Sequence, residues 1–286
     1  MRIGLMAREM SPENLELARA VLARMHAMGL TTLPTADLAE QLGTPAAWER
    51  EEGDEVDLWL GLGGDGTLLD MVARVGRSGV PVLGINLGRM GFISSVRIEE
   101  LDAALAALKA GRYAVQERSL LEVTDHRDVL GTVNFALNEV SISKRDSASM
   151  VAVHVHLDND FLNTYWADGL IVATPTGSTA YSLSCGGPIL HPTSDALVIN
   201  PISPHNLNVR PFVIPDHFTI RLQLEARSDK CLLNLDARSV AVAGDATVTI
   251  RRAPFSVKLV QLEGQDFLDT LRTKLNWGLD HRSASR

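Results

Sequence analysis

The sequence predicts an α/β domain followed by an all-β domain, and two hydrophobic patterns lead to this prediction. Near the N-terminus, short apolar strands such as Val80–Asn86 alternate with amphipathic helices, which is typical of a parallel, Rossmann-like sheet. After Tyr113, short strand-like runs follow one another, as expected for an all-β domain. We predict an α/β domain over residues 1–98 and an all-β domain over residues 99–265, with the C-terminal segment 266–286 packing back on the first domain.

The first domain is predicted to begin with a strand over Arg2–Met6 and a helix. Ser11 is a typical N-cap, Pro12 suits the first helical turn, and Gly29 ends the helix. The strand Val56–Leu60 then leads into a glycine-rich turn, after which apolar residues recur at helical spacing. These elements predict successive β-α units.

A short helix over Glu99–Ala110 leads into the second domain, whose elements are predicted to be strands. The runs with strand patterns are Val151–Leu157, Leu170–Ala173, Phe218–Leu222, Val240–Val242, Val248–Ile250 and Val257–Val260. The chain then forms an amphipathic helix over Asp266–Trp277, whose apolar face requires a packing partner.

The most distinctive stretch is the glycine-rich turn Gly61-Leu62-Gly63-Gly64-Asp65-Gly66-Thr67. Glycines let a phosphate approach the backbone amides, and the N-terminus of the following helix attracts the same negative charge. The turn fits the glycine pattern of dinucleotide-binding sheets, but the acid expected about 20 positions later is missing. The P-loop of nucleoside triphosphatases is excluded because the sequence contains no Gly-Lys pair. We predict that phosphate is bound by Gly63, Gly64, Gly66 and Thr67.

Asp65 places a carboxylate in the middle of this turn, where bound phosphates would repel it. Such a carboxylate is useful if it holds a metal ion or accepts a proton from an attacking hydroxyl, and both roles belong to phosphoryl transfer. Alternatively, Asp65 forms an Asp-Gly turn and caps the helix. The turn alone leaves both interpretations open.

Polar clusters in the second domain have residue types that suit a nucleotide. Asn138 and Glu139 follow an apolar strand, where an amide can read a base edge and a carboxylate can bind ribose hydroxyls. A simple strand-end turn has the same composition.

The run Asp168–Pro188 surrounds Tyr181 with hydroxyls and glycines, and the tyrosine ring can stack on a base. A serine nucleophile elbow is excluded there because Ala180 replaces the first glycine.

Three histidines also have more than one interpretation. His205 lies in the proline-rich turn Pro201–Leu207 and is either a phosphate contact or a structural histidine. His154 and His156 lie two positions apart, so they share one face of a strand and could bind a metal, but no third ligand lies nearby in the sequence.

Composition limits the class of protein. The chain has 286 residues and a net charge of −8, which argues against nucleic-acid binding. We expect its two cysteines, Cys185 and Cys231, to be reduced thiols. No apolar run approaches the ~18–20 residues that cross a bilayer, and the N-terminus does not resemble a signal peptide. We therefore expect a cytoplasmic protein without a membrane partner.

Taken together, these motifs resemble those of the NAD kinase family and occur in the same order. The similar stretches are Gly63–Thr67, Gly84–Phe92, Asn138–Glu139, Asp168–Pro188, Pro201–Pro211 and Leu271–Trp277. They span nearly the whole chain from residue 56 onward, whereas phosphofructokinases and diacylglycerol kinases share only a similar glycine turn. One stretch departs from the family: many members have Leu-Asp-Gly and a nearby glutamine where this chain has Leu235-Asp236-Ala237-Arg238. The role of Arg238 is therefore left open.

The resemblance implies a kinase that transfers the γ-phosphate of ATP to the 2′-hydroxyl on the adenosine ribose of NAD, with Mg²⁺ bridging the donor phosphates. Asp65 would accept the proton of that hydroxyl. The residues implied to contact the dinucleotide are Asp65, Gly66, Asn138, Glu139, Asp168, Thr179, Ala180, Tyr181, Ser182, Ser184 and Ser203. A β-sandwich fold for the second domain and a homodimer or homotetramer are also implied. The sequence leaves open whether polyphosphate replaces ATP and whether NADH is accepted.

Two other functions are kept as alternatives. The acceptor could be a sugar phosphate or a lipid alcohol, although the net charge of −8 does not favour binding to a membrane surface. The protein could also be a dinucleotide sensor without catalytic activity, but a carboxylate beside phosphate would then be a disadvantage. Product formation with NAD, Mg²⁺ and ATP distinguishes these alternatives.

Overall fold

The computed structural model describes residues 1–44, 56–88, 91–93, 96–145 and 150–277. The chain divides into two compact units. The first unit contains Met1–Gln116 together with the C-terminal segment from Lys258, and the second contains Glu117–Val257. In the part of the chain that the structure describes, no helix combines the length and the apolar composition that crossing a bilayer requires.

The elements are numbered in chain order. The strands are β1 (Arg2–Ala7), β2 (Thr31–Pro34), β3 (Leu58–Leu62), β4 (Val82–Asn86), β5 (Val96–Arg97), β6 (Tyr113–Val123), β7 (Phe135–Ala136), β8 (Glu139–Lys144), β9 (Val151–Leu157), β10 (Asp160–Ala167), β11 (Gly169–Ala173), β12 (Ala196–Ile202), β13 (Phe212–Pro215), β14 (Ile220–Ala226), β15 (Lys230–Leu235), β16 (Arg238–Ala243) and β17 (Thr247–Leu262). The helices are α1 (Pro12–Ala27), α2 (Ala36–Leu42), α3 (Asp65–Val75), α4 (Leu101–Lys109), α5 (Arg127–Leu130), α6 (Tyr181–Ser184) and α7 (Phe267–Leu275).

The first unit is built on a parallel sheet with the strand order β2-β1-β3-β4. Every residue of β3 and β4 is buried, which is typical of strands in a parallel sheet. Helix α1 begins as predicted, because the Ser11 side chain accepts a hydrogen bond from the Asn14 amide. It ends before Gly29, whose φ of +72° suits glycine. The predicted parallel α/β architecture is confirmed.

The second unit contains two antiparallel layers. One has the strand order β13-β12-β11-β8-β15-β16, and the other contains β10, β9 and β14 beside the N-terminal part of β17. One continuous core contains inward-facing side chains of both layers, such as Ile142 and Leu233 from the first and Val153 and Leu222 from the second. The predicted β-sandwich is confirmed.

The division into units differs from the predicted boundaries at residues 98/99 and 265/266. Helix α4 was assigned to the second domain, but its side chains Leu101, Leu105 and Leu108 are buried in the core that contains the parallel sheet. The two predicted strands Val248–Ile250 and Val257–Val260 lie on one long strand, β17. The second division between the observed units, between Val257 and Lys258, falls within that strand. Helix α7 belongs to the first unit, as predicted for the C-terminal segment.

We expect substitution of Gly4 to disturb the parallel sheet. Gly4 pairs with Trp59 of β3, and a Cβ atom on Gly4 would lie 2.7 Å from the buried indole ring. Gly4→Ala should therefore lower the free energy of unfolding by about 1–3 kcal/mol, measured by denaturant titration. Trp59→Leu opens space at this position, so the same glycine substitution should cost less in that background. An equal loss in both backgrounds would show that the indole does not set the requirement for glycine.

Candidate functional site

The glycine-rich turn joins β3 to α3, as predicted. The amide of Gly63 donates to the carbonyl oxygen of Ile85 on β4, at 2.9 Å, and this bond continues the pairing of β3 with β4 into the turn. Gly64 occupies the N-cap position and Asp65 is the first residue of α3. The first amides of α3 and its positive dipole end therefore lie at the turn.

The carboxylate of Asp65 is held by the segment that follows β4. Its Oδ2 atom accepts a hydrogen bond from the amide of Phe92 at 2.7 Å, and Oδ1 accepts one from Ile93 at 3.2 Å. A Cβ atom on Gly91 would lie 1.7 Å from Oδ1, so this close approach requires glycine. Asp65 is thus anchored by backbone donors, and the N-cap position belongs to Gly64. Residues 89 and 90 of the same family-like stretch lie outside the described residues.

The four predicted phosphate-binding residues line one cavity of about 320 Å³. Gly63, Gly64, Gly66 and Thr67 contribute to it, together with Arg8 and other residues that follow β1. Sequence reasoning did not identify Arg8. Its Nη2 atom donates to Oδ1 of Asp70 on α3 at 2.9 Å, and its Nε atom donates to Oδ2. These bonds raise the pKa of Arg8 above its usual value.

Asn138 and Glu139 are buried in the second unit, with exposed fractions of 6% and 8%. Within the described residues, the Oδ1 atom of Asn138 and the Oε2 atom of Glu139 have no hydrogen-bond partner. Buried acceptors without partners are costly unless a ligand supplies donors. Burial and the nearby Asp236 carboxylate raise the pKa of Glu139 to about 8, and a hydrogen bond from the Tyr181 amide acts in the opposite direction. The strand-end-turn interpretation does not account for these two open acceptors.

Asp236 and Arg238 hold the backbone of the segment that carries these two residues. Asp236 accepts hydrogen bonds from the amides of Leu137, Asn138 and Glu139, at 2.9, 2.8 and 3.2 Å. Burial raises the pKa of Asp236, while the three amides oppose this shift. Arg238 donates to the carbonyl oxygens of Val133 and Phe135. The role left open for Arg238 is therefore a structural one in this unit.

The first part of the run Asp168–Pro188 packs directly on Asn138. The Thr174 amide donates to the Asn138 carbonyl oxygen at 2.9 Å, and the Thr174 hydroxyl donates to Leu137 at 2.6 Å. A Cβ atom on Gly177 would lie 2.0 Å from the Asn138 carbonyl oxygen. The turn can therefore contact this backbone only with glycine at position 177. Asp168 forms an ion pair with Lys144, at 2.6 Å.

Helix α6 presents its predicted contact residues in different ways. Tyr181 is exposed at its first position, and Ser184 is exposed at its last. Ser182 is fully buried, and its carbonyl and hydroxyl oxygens accept hydrogen bonds from Nδ2 of Asn200 at 2.8 and 3.2 Å. Thr179 donates its hydroxyl to the Thr176 carbonyl oxygen and, like Ala180, is half-buried. Asn200 was not identified from the sequence because it contacts Ser182 only through the fold.

The remaining candidates lie at the surface or have other partners. Ser203 is exposed with a φ of +46°, and His205 is also exposed. His154 bonds to Thr164 at 2.8 Å, and the ring of His156 lies edge-on to that of Phe161. Across the described ranges, no group of three or more His, Cys, Asp or Glu side chains is arranged to hold a metal ion.

Comparisons with known proteins identify the class. Two protein-family models match, the ATP-NAD kinase N-terminal domain over residues 3–113 and the ATP-NAD kinase C-terminal domain over residues 137–262. The NAD kinase of Cytophaga hutchinsonii is 47% identical over 227 residues, covering 79% of this chain and 78% of the relative. The NAD kinase of Bacteroides fragilis is 46% identical over 232 residues, covering 81% and 80%.

Solved structures share the fold. The yeast NADH kinase complexed with NADH has a TM-score of 0.86 at 25% identity and covers 98% of this chain and 89% of its own. The NAD kinase from Archaeoglobus fulgidus in complex with ATP has a TM-score of 0.76 at 23% identity and covers 96% and 99%. The two matched family models, together with the shared fold, define a kinase of two domains. The chain belongs to the NAD kinase family, which confirms the resemblance.

Glu139 should make stability depend on pH. Its pKa of about 8 in the folded protein lies above the usual 4.5, so the folded state keeps a proton that the unfolded state releases. This contribution to stability is complete below about pH 4.5 and is lost as the pH rises through about 8. Between pH 5 and 9, the Tm of Glu139→Gln should therefore fall less steeply than that of wild type. Glu16→Gln, at an exposed position on α1, is the control, and equal slopes for wild type and Glu139→Gln would contradict the prediction.

Arg238 should support dinucleotide binding without touching the ligand. Arg238→Met keeps much of the side-chain volume but leaves the carbonyl oxygens of Val133 and Phe135 without this donor. We expect NAD to bind about tenfold more weakly, measured by calorimetry, because the segment before Asn138 loses its support. Arg221→Met removes an exposed arginine of β14 and should leave the affinity unchanged. Equal affinities of the Arg238 variant and wild type would exclude this supporting role.

Proposed function

We propose that this protein is a kinase that transfers the γ-phosphate of ATP to the 2′-hydroxyl on the adenosine ribose of NAD and forms NADP. Family membership supports the reaction. The observation that carries the proposal is the position of the Asp65 carboxylate, which backbone donors hold at the glycine-rich turn. A fixed carboxylate beside a phosphate is useful in phosphoryl transfer because it can take the proton of the attacking hydroxyl.

The donor is assigned to the glycine-rich turn. The amides of Gly64 and Gly66 and the N-terminus of α3 provide hydrogen-bond donors and positive charge for phosphate oxygens, and Gly63 lines the same cavity without a side chain. The bond from the γ-phosphorus to the ADP oxygen breaks while a bond forms to the ribose oxygen, and Asp65 takes the proton of that oxygen. The turn thereby positions the donor and Asp65 activates the acceptor.

The dinucleotide is assigned to the polar residues of the second unit. The open acceptor atoms of Asn138 and Glu139 suit the hydroxyls and amino group of adenosine. The exposed ring of Tyr181 suits stacking on a base. We propose that the other contact residues are Asp65, Gly66, Asp168, Thr179, Ala180, Ser182, Ser184 and Ser203.

Mg²⁺ is proposed as the divalent cation, and the donor set fits this ion. Mg²⁺ keeps several waters and binds through substrate phosphates and one or two carboxylates, so it requires no cluster of acids. Asp65 is the carboxylate at the turn that could approach it. When bound, the ion would neutralise charge on the donor phosphates. We further propose that the protein is cytoplasmic and that it forms a homodimer or homotetramer. Light scattering can test the oligomeric state.

The proposed base predicts the behaviour of Asp65→Asn. This variant should fold and bind NAD, but its kcat should fall by about 100-fold or more because the amide cannot accept the proton. NADP formed from NAD, ATP and Mg²⁺ is measured with an NADP-specific dehydrogenase. Asp102→Asn, at an exposed position on α4, is the matched control. Unchanged turnover of Asp65→Asn would remove Asp65 from the mechanism, and tight NAD binding by wild type without product would favour a sensor.

A further inference from the structure

Arg8 leaves the sheet directly beside the glycine-rich turn. In the parallel pairing of β1 with β3, Ala7 lies opposite Leu62. Arg8 follows β1 and Gly63 follows β3, so these two segments leave the sheet side by side. Ligands of open parallel sheets bind at this carboxyl edge. The register that creates the turn therefore also sets the position of Arg8.

Asp70 fixes the orientation of the Arg8 guanidinium. The Nε and Nη2 atoms of Arg8 both donate to the Asp70 carboxylate, which lies on α3. This two-point pairing holds the planar group in one orientation before any ligand binds, so binding costs less conformational entropy. The guanidinium keeps its positive charge at every physiological pH.

The free edge of the guanidinium faces the turn. A Cβ atom on Gly66 would lie 2.7 Å from Nη1, compared with 3.5 Å from Nη2, so Nη1 is the closer terminal nitrogen. Arg8 and Gly66 also line the same cavity of about 320 Å³. The Arg8 side chain is half-exposed, which leaves it accessible to a ligand.

We propose that Arg8 binds the phosphates of the triphosphate donor through Nη1. This inference rests on the proposed function and assigns the cationic side chain of its donor subsite. Backbone amides carry only partial charges, whereas the donor phosphates and Asp65 bring several negative charges together. A full positive charge at the turn stabilises the donor and the charge that shifts toward the leaving ADP oxygen. Arg8 forms no covalent bond in this role, and Asp70 acts as its positioning residue.

The test compares Arg8→Ala, Arg8→Lys and Asp70→Asn with wild type. Arg19→Ala, which removes an exposed arginine of α1 paired with Glu16, is the matched control. Initial rates are measured with ATP varied at saturating NAD and with NAD varied at saturating ATP. Calorimetry with tripolyphosphate, without NAD, provides a readout that does not depend on turnover. Thermal unfolding reports whether each variant is folded.

In Arg8→Ala, we expect a rise of about 10- to 100-fold in the KM for ATP, with the KM for NAD within twofold of wild type. Tripolyphosphate should bind at least tenfold more weakly. Arg8→Lys keeps a charge but not the two-point pairing, so both effects should be intermediate, and Asp70→Asn should behave similarly. These two variants also test the inference if Arg8→Ala does not fold.

The outcomes separate the inference from the proposed function. If wild type forms NADP and the Arg8 variants keep its KM for ATP and its tripolyphosphate affinity, Arg8 is not a donor contact while the function stands. If wild type forms no NADP, the proposed function fails. Tripolyphosphate binding that depends on Arg8 would then still support a polyphosphate subsite at Arg8. Tripolyphosphate binding that is absent or independent of Arg8 would overturn the inference about Arg8 as well.

Discussion

The position of the Asp65 carboxylate depends on the register between two parallel strands. Leu62 of β3 pairs with Ile85 of β4, and the Gly63 amide extends that pairing by one hydrogen bond. This register brings the turn after β3 close to the segment after β4, so the amides of Phe92 and Ile93 reach the Asp65 carboxylate. Gly91 permits the approach because any side chain there would collide with the carboxylate. The buried parallel sheet therefore fixes a charged side chain that would otherwise sample several rotamers.

The second unit fixes its polar residues in a different way. Asp236 and Arg238 bind successive backbone groups of the segment 133–139, so Asn138 and Glu139 are supported by side chains of a distant turn. Burial raises the pKa of both Glu139 and Asp236, and the nearby Asp236 carboxylate adds to the shift of Glu139. The unit thus accepts an electrostatic cost in order to hold acceptor atoms in place, as is common where a site is organised before its ligand arrives.

Local patterns predicted the architecture and the motifs, while contacts distant in sequence were beyond their reach. The parallel sheet, the sandwich and the strand-turn-helix around Gly63 all follow from hydrophobic period and turn residues within short windows. Arg8 contacts Asp70 over 62 positions, and Arg238 contacts Val133 over 105 positions, so neither could be assigned before the fold was known. The boundary predicted after residue 98 differs from the division between the units, which follows Gln116, for a similar reason. The apolar face of α4 gives its helical period but does not identify the core in which Leu101 and Leu105 are buried.

The two polar regions present opposite hydrogen-bonding character, and this difference suits two different ligands. The turn after β3 offers backbone amides, a helix N-terminus and Arg8, which are donors suited to the anionic oxygens of a triphosphate. Asn138 offers a buried acceptor and Glu139 a buried carboxyl group that accepts hydrogen bonds when it is ionised, and both are suited to the hydroxyls and amino group of an adenosine. A net charge of −8 does not conflict with anionic substrates, because binding depends on the few donors within hydrogen-bond distance and more distant charges are screened by salt. Asp65 is the exception to the donor character of the turn, and an acceptor in that place agrees with its proposed role of taking one proton from the attacking hydroxyl.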